Sequence, residues 1–272
     1  MKGLEMWRKD DFTQIGDWCK QRESELLSTT MIAPDEHFLI RVDGRAFHTF
    51  TRGMERPFSV PFRNAMKAAG AAVLAQLKPQ FVYFQSDEIT FAWTTKSTDG
   101  YTHPFKGKVA KLLSVVASLT SVAFYKACLD EGIDIGDKLP HFDARLVEVL
   151  PTDATIQSLM QPVQWRENDA MRNAIAMVAQ SLFSQKELHG QNTTKQITMA
   201  LEAGFDFDAV PKGYLRGTYL TMGVEERTLT PDEVLRIPEK NRPEPGTTFK
   251  RSVMQECYFA DWDYVKRREA LL

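Results

Sequence analysis

Two adjacent carboxylates interrupt an apolar, strand-like stretch of the chain. The stretch reads FVYFQSDEITFAW over residues 81–93, with Asp87 and Glu88 near its middle. Aromatic and β-branched residues on both sides are typical of strands, and Gln-Ser-Asp-Glu between them is typical of a tight turn. A solvated hairpin tip is the ordinary interpretation of such a turn, so these two acids alone do not indicate a function.

A third acid, Asp43, ends another short apolar stretch upstream. Residues 38–42 have the composition of a strand, and Asp43-Gly44 follows them directly. Asp-Gly by itself marks many ordinary turns. If the two stretches pair in one sheet, however, Asp43 and Asp87 converge at one end of it. Two carboxylates and a backbone carbonyl suit Mg²⁺, and a pair of such ions is the usual device for phosphoryl and nucleotidyl transfer.

The segments around these acids predict an α+β fold with an antiparallel sheet. Strand-like patterns at 38–42, 81–93 and 141–150 alternate with helix-like patterns at 62–77 and 106–129. The resulting order is strand, helix, strand, strand, helix, strand. That order is typical of a ferredoxin-like domain, in which the helices cover one face of the sheet.

Helical segments flank this domain on both sides. An amphipathic pattern at 11–27 predicts a helix before the first strand. Patterns at 155–161, 163–187 and 193–203 predict a mostly helical part after the last strand. Prolines 238, 243 and 245 predict a surface loop or semi-rigid extension near the carboxyl terminus.

The composition is that of an ordinary soluble protein. The 272 residues are 43% hydrophobic and 26% charged, and the formal net charge of −2 leaves nucleic-acid binding to local basic patches. Three scattered cysteines, Cys19, Cys128 and Cys257, predict reduced thiols in a cytoplasmic protein. The amino terminus lacks the apolar core of a signal peptide, and we find no apolar segment long enough for a bilayer. We therefore expect no membrane partner.

Six stretches between residues 13 and 218 form an ordered set, namely TQIGDWCKQRE, IRVDGRAFHTFTRG, FQSDEITFAW, KVAKLLSVVAS, HFDARLVEVLP and WRENDAMRN. In this order they resemble the tRNA(His) guanylyltransferase family, including its guanylyltransferase-like branch. The resemblance implies a palm-like catalytic domain at 1–150 and a helical extension at 151–272 that completes the nucleotide and tRNA site. It also implies addition of nucleotides to the 5′ end of tRNA, in the 3′-to-5′ direction.

The resemblance also places the family's functional residues on this chain. Two Mg²⁺ ions fall on Asp43, the Gly44 carbonyl and Asp87, with Glu88 in support. ATP, GTP or another nucleoside triphosphate falls on a largely cationic set, namely Arg41, Gly44, Arg45, His48, Arg56, Ser86, Lys108, Lys111, Asn173 and Arg216. A solvated helix face is the ordinary alternative for the two lysines, and a half-buried histidine at a strand end is the alternative for His48. Family members form tetramers, which implies a homotetramer.

Two departures from the family pattern bear on substrate choice. Met171 stands where the family has a histidine, and Ser59 stands where it has a base-side aspartate. These changes favour the branch that repairs 5′-truncated tRNAs by template-directed addition. The alternative is the enzyme that adds a single extra guanosine to tRNA(His).

Two functions of other kinds stay open. A nucleotide cyclase, such as a diguanylate cyclase, would use the same two acids on the same palm, although the chain lacks that enzyme's Gly-Gly-Asp/Glu-Glu-Phe hairpin. A non-catalytic RNA-binding module would use the sheet surface, although exposed acids repel phosphates unless cations intervene. The basic clusters Lys250-Arg251 and Lys266-Arg267-Arg268 are candidates for contacts with an RNA backbone.

Overall fold

The computed structural model describes residues 30–95, 102–151, 156–244 and 246–258. The predicted helix at 11–27, Cys19 and the basic cluster at 266–268 lie outside these residues. Cys128 and Cys257 carry free thiols, as the sequence predicted, and burial raises the pKa of the Cys128 thiol to about 12.

One antiparallel sheet of six strands forms the centre of the described chain. The strands are β1 (His37–Gly44), β2 (Phe81–Gln85), β3 (Glu88–Trp93), β4 (Phe142–Leu150), β5 (Thr218–Thr228) and β6 (Thr248–Cys257). Their order across the sheet is β4-β1-β3-β2-β5-β6. The first four strands have the order of a ferredoxin-like domain, so the predicted fold class is confirmed.

Helices pack on both faces of this sheet. The α-helices of the described ranges are α1 (Phe47–Phe50), α2 (Val60–Leu77), α3 (Val109–Asp130), α4 (Ile156–Leu182), α5 (Gln185–Leu188), α6 (Thr193–Glu202), α7 (Lys212–Arg216) and α8 (Pro231–Leu235). Successive side chains of a strand point to opposite faces. Ile40 of β1 therefore packs with α2 and α3, whereas its neighbour Leu39 packs with α4.

Helix α3 is the most hydrophobic of the long helices. By length and composition alone it could cross a membrane, which contradicts the expectation that no apolar segment is long enough. In the structure, Leu112, Val116 and Phe124 of α3 are fully buried in the core that it shares with α2 and the sheet. The helix begins at Val109 rather than at residue 106, because Pro104–Gly107 forms a 3₁₀ turn with left-handed backbone angles.

The part of the chain after residue 150 differs most from the sequence prediction. Strands β5 and β6 were not predicted, and β5 pairs with β2 and so extends the sheet. Helix α4 continues through Pro162, where two separate helices were predicted. Leu159 and Val163, on either side of the proline, are buried against the sheet. This packing offsets the hydrogen bond that a proline removes from a helix.

Candidate active site

The turn between β2 and β3 holds Asp87, one of the two acids predicted to bind metal. Gln85 and Glu88 are paired across the two strands, so Ser86 and Asp87 form a two-residue turn. Ser86 has a left-handed φ of 45°, which allows the chain to reverse within this short distance. The hairpin predicted for residues 81–93 is therefore confirmed.

Strand β1 brings Asp43 to the same end of the sheet. Asp43 lies opposite Glu88 in the pairing of β1 with β3, and the N–H of Gly44 donates to the carbonyl of Asp87 over 3.0 Å. Only glycine fits at position 44 without a shift, because a Cβ there would lie 2.5 Å from the ring of Phe47. The structure thus brings Asp43 and Asp87 together, as the pairing of the two stretches predicted.

The charges at this end of the sheet favour a bound cation. The pKa of Asp87 is raised to about 6, mainly by burial and also by the negative charges of Asp43 and Glu88. The guanidinium of Arg145 lies 3.8 Å from Asp43, but it is bound more closely, at 2.9 Å, to Asp143. Asp43 and Asp87 therefore have little positive charge of their own to balance them.

The donor set fits Mg²⁺. No group of three or more Asp, Glu, His or Cys side chains in the described part of the chain is arranged to hold a metal ion by itself. Asp43 and Asp87 would need oxygen atoms from the backbone, from water or from a substrate phosphate to complete a coordination sphere. Mg²⁺ is bound in this way in many enzymes, through one or two carboxylates with substrate phosphates and several waters.

Glu88 is engaged with helix α4 rather than open to a metal ion. Its carboxylate accepts hydrogen bonds from Nε of Arg166 and from Nε2 of Gln85, both at 2.8 Å, and Nε of Arg41 lies 3.8 Å away. The side chains of Glu88 and Arg166 are each only 12% exposed. In this arrangement Glu88 fixes the hairpin against α4, and Asp43 and Asp87 are the acids that face a ligand.

Arg166 extends the ion pairs along α4. It donates to Oδ2 of Asp169 at 2.8 Å, and Asp169 also accepts hydrogen bonds from Arg172 at 2.6 Å and from Asn173 at 3.4 Å. Both residues lie within the WRENDAMRN stretch, but no role was predicted for Arg166 or Asp169 from the sequence. Arg166 could have been recognised from its spacing in the helix. It lies three residues after the apolar Val163, on the buried side, where an unpaired charge raises the free energy of the folded state.

A cavity of about 410 Å³ opens beside Asp87. Five of the residues predicted to bind metal or nucleotide line it, namely His48, Arg56, Ser86, Asp87 and Asn173. They come from α1, from the loop that follows it, from the hairpin and from α4, so the fold assembles them. The volume is within the range of small-molecule sites, roughly 300–1,000 Å³.

A smaller cavity, of about 70 Å³, adjoins the first and shares Ser59 and Ser86 with it. Arg63 lines the smaller cavity, and its guanidinium lies between the rings of Phe84 and Tyr214, 5.5 and 5.4 Å from their centroids. Neither Arg63 nor Tyr214 was predicted from the sequence to belong to the site. The two residues are 151 positions apart in the numbering and meet only because β5 pairs with β2.

The Arg-Gly-Thr stretch at 216–218 lies where β5 begins. The carbonyl of Arg216 accepts a hydrogen bond from the Tyr83 hydroxyl at 2.8 Å. Gly217 has a φ of 78°, and a Cβ there would lie 2.5 Å from the same hydroxyl. Arg216 does not line either of the two cavities, so the predicted contact with a triphosphate stays a prediction.

Lys108 and Lys111 are not brought to the cavity. Lys108 forms a β-bridge with Met31 and precedes α3, at the end of the sheet where β1 begins. The other end of α3 lies near Asp43, since the rings of Phe124 and Phe47 are 5.3 Å apart. A phosphate site at the two lysines would therefore be separate from the cavity beside Asp87.

Two other predicted phosphate contacts, Arg41 and Arg45, also lie outside the cavity lining. Arg45 is exposed just beyond β1. Arg41 lies on the face of β1 that α4 covers, and its Nε is buried without a hydrogen-bond partner among the described residues. The same Nε lies 3.8 Å from the carboxylate of Glu88, so the predicted contact of Arg41 with a phosphate stays a prediction.

An antiparallel palm-like sheet with two converging carboxylates beside a cavity of this size is an arrangement that suits metal-assisted transfer of nucleotidyl groups. The profile of a family described as tRNAHis guanylyltransferase matches residues 18–150. An uncharacterized protein of Acanthamoeba polyphaga mimivirus is 30% identical over 209 residues, which cover 69% of this chain and 70% of that protein. The probable tRNA(His) guanylyltransferase of Drosophila melanogaster is 29% identical over 206 residues, with 70% and 68% covered.

Solved structures agree with these relatives. A bacterial tRNA(His) guanylyltransferase (Thg1)-like protein in complex with ATP has a TM-score of 0.68 and 28% identity, and the match covers 76% of this chain and 88% of that one. The chain belongs to the tRNA(His) guanylyltransferase family.

Proposed function

We propose that this protein is a Mg²⁺-dependent nucleotidyltransferase that extends the 5′ end of tRNA in the 3′-to-5′ direction. The observation that carries the proposal is the cavity beside Asp87, which combines His48, Arg56 and Asn173 with one of the two converging acids. The cavity offers cationic and polar side chains for a nucleoside triphosphate, and the bacterial relative with bound ATP supports this choice of ligand.

In the proposed reaction, the 3′-hydroxyl oxygen of the incoming nucleotide attacks the phosphorus of an activated 5′ phosphate. A 3′–5′ phosphodiester bond forms, and the bond from that phosphorus to its leaving group breaks. The leaving group is AMP after activation with ATP, or pyrophosphate when the RNA carries a 5′-triphosphate. Bound Mg²⁺ supplies positive charge for the attacking oxygen and the leaving phosphate. Asp43 and Asp87 would bind the Mg²⁺, while Arg56 and His48 bind and orient the nucleotide.

We further propose that pairing with the opposite strand of the acceptor stem selects the added base. Ser59 stands where the family has a base-side aspartate; it lines the cavity, and its hydroxyl accepts a hydrogen bond from the N–H of Phe62. Met171, which replaces the family histidine, is not among the lining residues of this cavity. One polar contact discriminates by only ~1–3 kcal/mol, whereas a template supplies hydrogen bonds and shape together.

Addition of a single guanosine to tRNA(His) is the second candidate, and Glu55 is the observation that favours it. Glu55 lines the same cavity as Ser59 and Asn173. A carboxylate accepts hydrogen bonds only, and the N1–H and N2–H groups of guanine are donors that it could bind together. Glu55 could therefore select GTP without a template, and a Glu55→Gln variant would then lose that preference.

A panel of RNA substrates tests the proposal. Each tRNA lacks its first 5′ nucleotide, and the base at position 72 is C, A, G or U; each is incubated with the four labelled nucleoside triphosphates. We expect addition of the complementary base in every case, with no requirement for a His anticodon. Guanosine added opposite every base, or dependence on the His anticodon, would support the second candidate. Pyrophosphate release without RNA would indicate a cyclase, and no release with any RNA would indicate a binding module.

A further inference from the structure

Trp165 is an exposed aromatic residue beside the ion pairs of α4. It is 60% exposed, and the guanidinium carbon of Arg166 lies 4.7 Å from the centroid of its ring. A single exposed apolar side chain is ordinary on a protein surface. Trp165 differs because the cation against its ring is itself held by Glu88 and Asp169. A cation–π contact with a held guanidinium favours this position of the ring.

The ring of Trp165 is linked through Arg166 to the acids proposed to bind Mg²⁺. Arg166 joins Trp165 to Glu88, which neighbours Asp87 in the chain and lies opposite Asp43 in the sheet. One guanidinium group therefore connects the ring to the hairpin that carries Asp87. The ring does not line the larger cavity, whose described lining comes from α1, the loop after it, the hairpin and other parts of α4. The incoming nucleotide would thus bind in the cavity, and the ring remains accessible to a different group near the same acids.

Exposed guanidinium groups lie on the same side of the protein. The side chain of Arg172, 61% exposed, is two helical turns after Trp165 and so lies on the same face of α4. The side chain of Arg145, 53% exposed, lies next to Asp43 on the sheet. Each can bind a phosphate oxygen through its N–H groups in addition to its carboxylate partner. A flat open ring with guanidinium groups around it is the combination that binds the bases and phosphates of RNA.

We propose that Trp165 is the stacking surface for the terminal base at the end of the tRNA acceptor stem. This inference rests on the proposed function, since it names how the RNA substrate of the same site is held. Stacking of the last base on a fixed ring would place the adjacent 5′ phosphate toward Asp43 and Asp87. The other candidate occupants, the incoming nucleotide and a protein partner, are outcomes of the test.

The test compares two substitutions that differ in the ability to stack. Trp165→Leu keeps an apolar side chain but removes the aromatic face, whereas Trp165→Phe keeps a smaller aromatic face. The probes are a 5′-monophosphorylated acceptor-stem hairpin and an RNA dumbbell closed at both ends, bound in Mg²⁺ without any nucleotide. We expect Trp165→Leu to weaken hairpin binding about tenfold, Trp165→Phe to stay within about threefold of the unmodified protein, and the dumbbell to be unaffected.

Three results would overturn the inference. They are unchanged hairpin binding by Trp165→Leu, which would leave the ring to a protein partner; an equal loss for the dumbbell; and an equal loss in direct binding of a nucleoside triphosphate without RNA, which would assign the ring to the nucleotide. Tyr125→Leu, a matched change at an exposed aromatic residue of α3, should leave RNA binding unchanged. Binding is measured without nucleotide addition, so the two proposals fail separately. If no RNA is extended but hairpin binding still depends on Trp165, only the proposed function is contradicted.

Discussion

Replacing Asp87 by asparagine removes a negative charge from the turn while keeping the size of the side chain. The pKa of Asp87 is raised from 3.8 to about 6, first by burial and then by the charges of Asp43 and Glu88. At neutral pH, ionisation of this carboxyl group therefore costs more free energy in the folded protein than in the unfolded chain. The difference between the two pKa values corresponds to at most about 3 kcal/mol. We expect metal-free Asp87→Asn to be more stable than the unmodified protein and inactive in nucleotide addition.

The sign of the effect determines its dependence on pH. The pKa of Asp87 is higher in the folded protein than in the unfolded chain, so the ionised form destabilises the fold. The stability gained by Asp87→Asn should be complete above about pH 6 and should disappear as the pH falls toward 4, where the carboxyl group is protonated in both states. Protonation also competes with a cation, so Mg²⁺ should bind more weakly below about pH 6.

Thermal unfolding in EDTA and in Mg²⁺ measures both effects. For a chain of this size, 1 kcal/mol corresponds to roughly 2–4 °C in Tm, so the metal-free variant should melt higher, by up to roughly 6–12 °C. Mg²⁺ should raise the Tm of the unmodified protein and leave that of the variant unchanged. Asp137→Asn, at an exposed acid in the loop before β4, is the matched control and should change neither value. A lower Tm for metal-free Asp87→Asn, or an undiminished response to Mg²⁺, would refute the reasoning.

Three further predictions follow from contacts described above. Arg166→Met leaves the buried Glu88 with Arg41, 3.8 Å away, as its remaining cation, so urea unfolding should show a loss of up to about 3–5 kcal/mol, part of which a second change, Glu88→Met, should restore. Gly44→Ala places a Cβ against a core ring and should lower stability by about 1–3 kcal/mol, together with most of the activity; an unchanged melting curve would contradict this. Because Lys108 and Lys111 lie away from the cavity, they are available to a separate polyphosphate, such as that of the activating ATP. Their Gln variants should slow extension of 5′-monophosphorylated RNA more than that of 5′-triphosphorylated RNA, and equal losses would count against an activation role.

The sequence was sufficient for the acid pair because that prediction depended on one pairing only. Once 38–42 and 81–93 are adjacent antiparallel strands, Asp43 and Asp87 must meet at one end. The role of Glu88 was not predictable in the same way. Its partner Arg166 is 78 residues away, and the contact depends on how α4 crosses the sheet. The position of Lys108 was not predictable either, since the motif match carried no information about which end of the sheet this residue occupies.

Strand β5 lies outside the palm-like domain expected at residues 1–150, but it contributes to the same sheet and to the site. Strand β2 has buried side chains along its whole length, and β5 satisfies the backbone groups of its outer edge. A palm domain that ended before β5 would expose that edge, which is a hazard for aggregation. At the start of β5, Thr218 accepts a hydrogen bond at 2.9 Å from Arg63, which lines the smaller cavity. The carboxyl-terminal part therefore completes both the sheet and the wall of the smaller cavity.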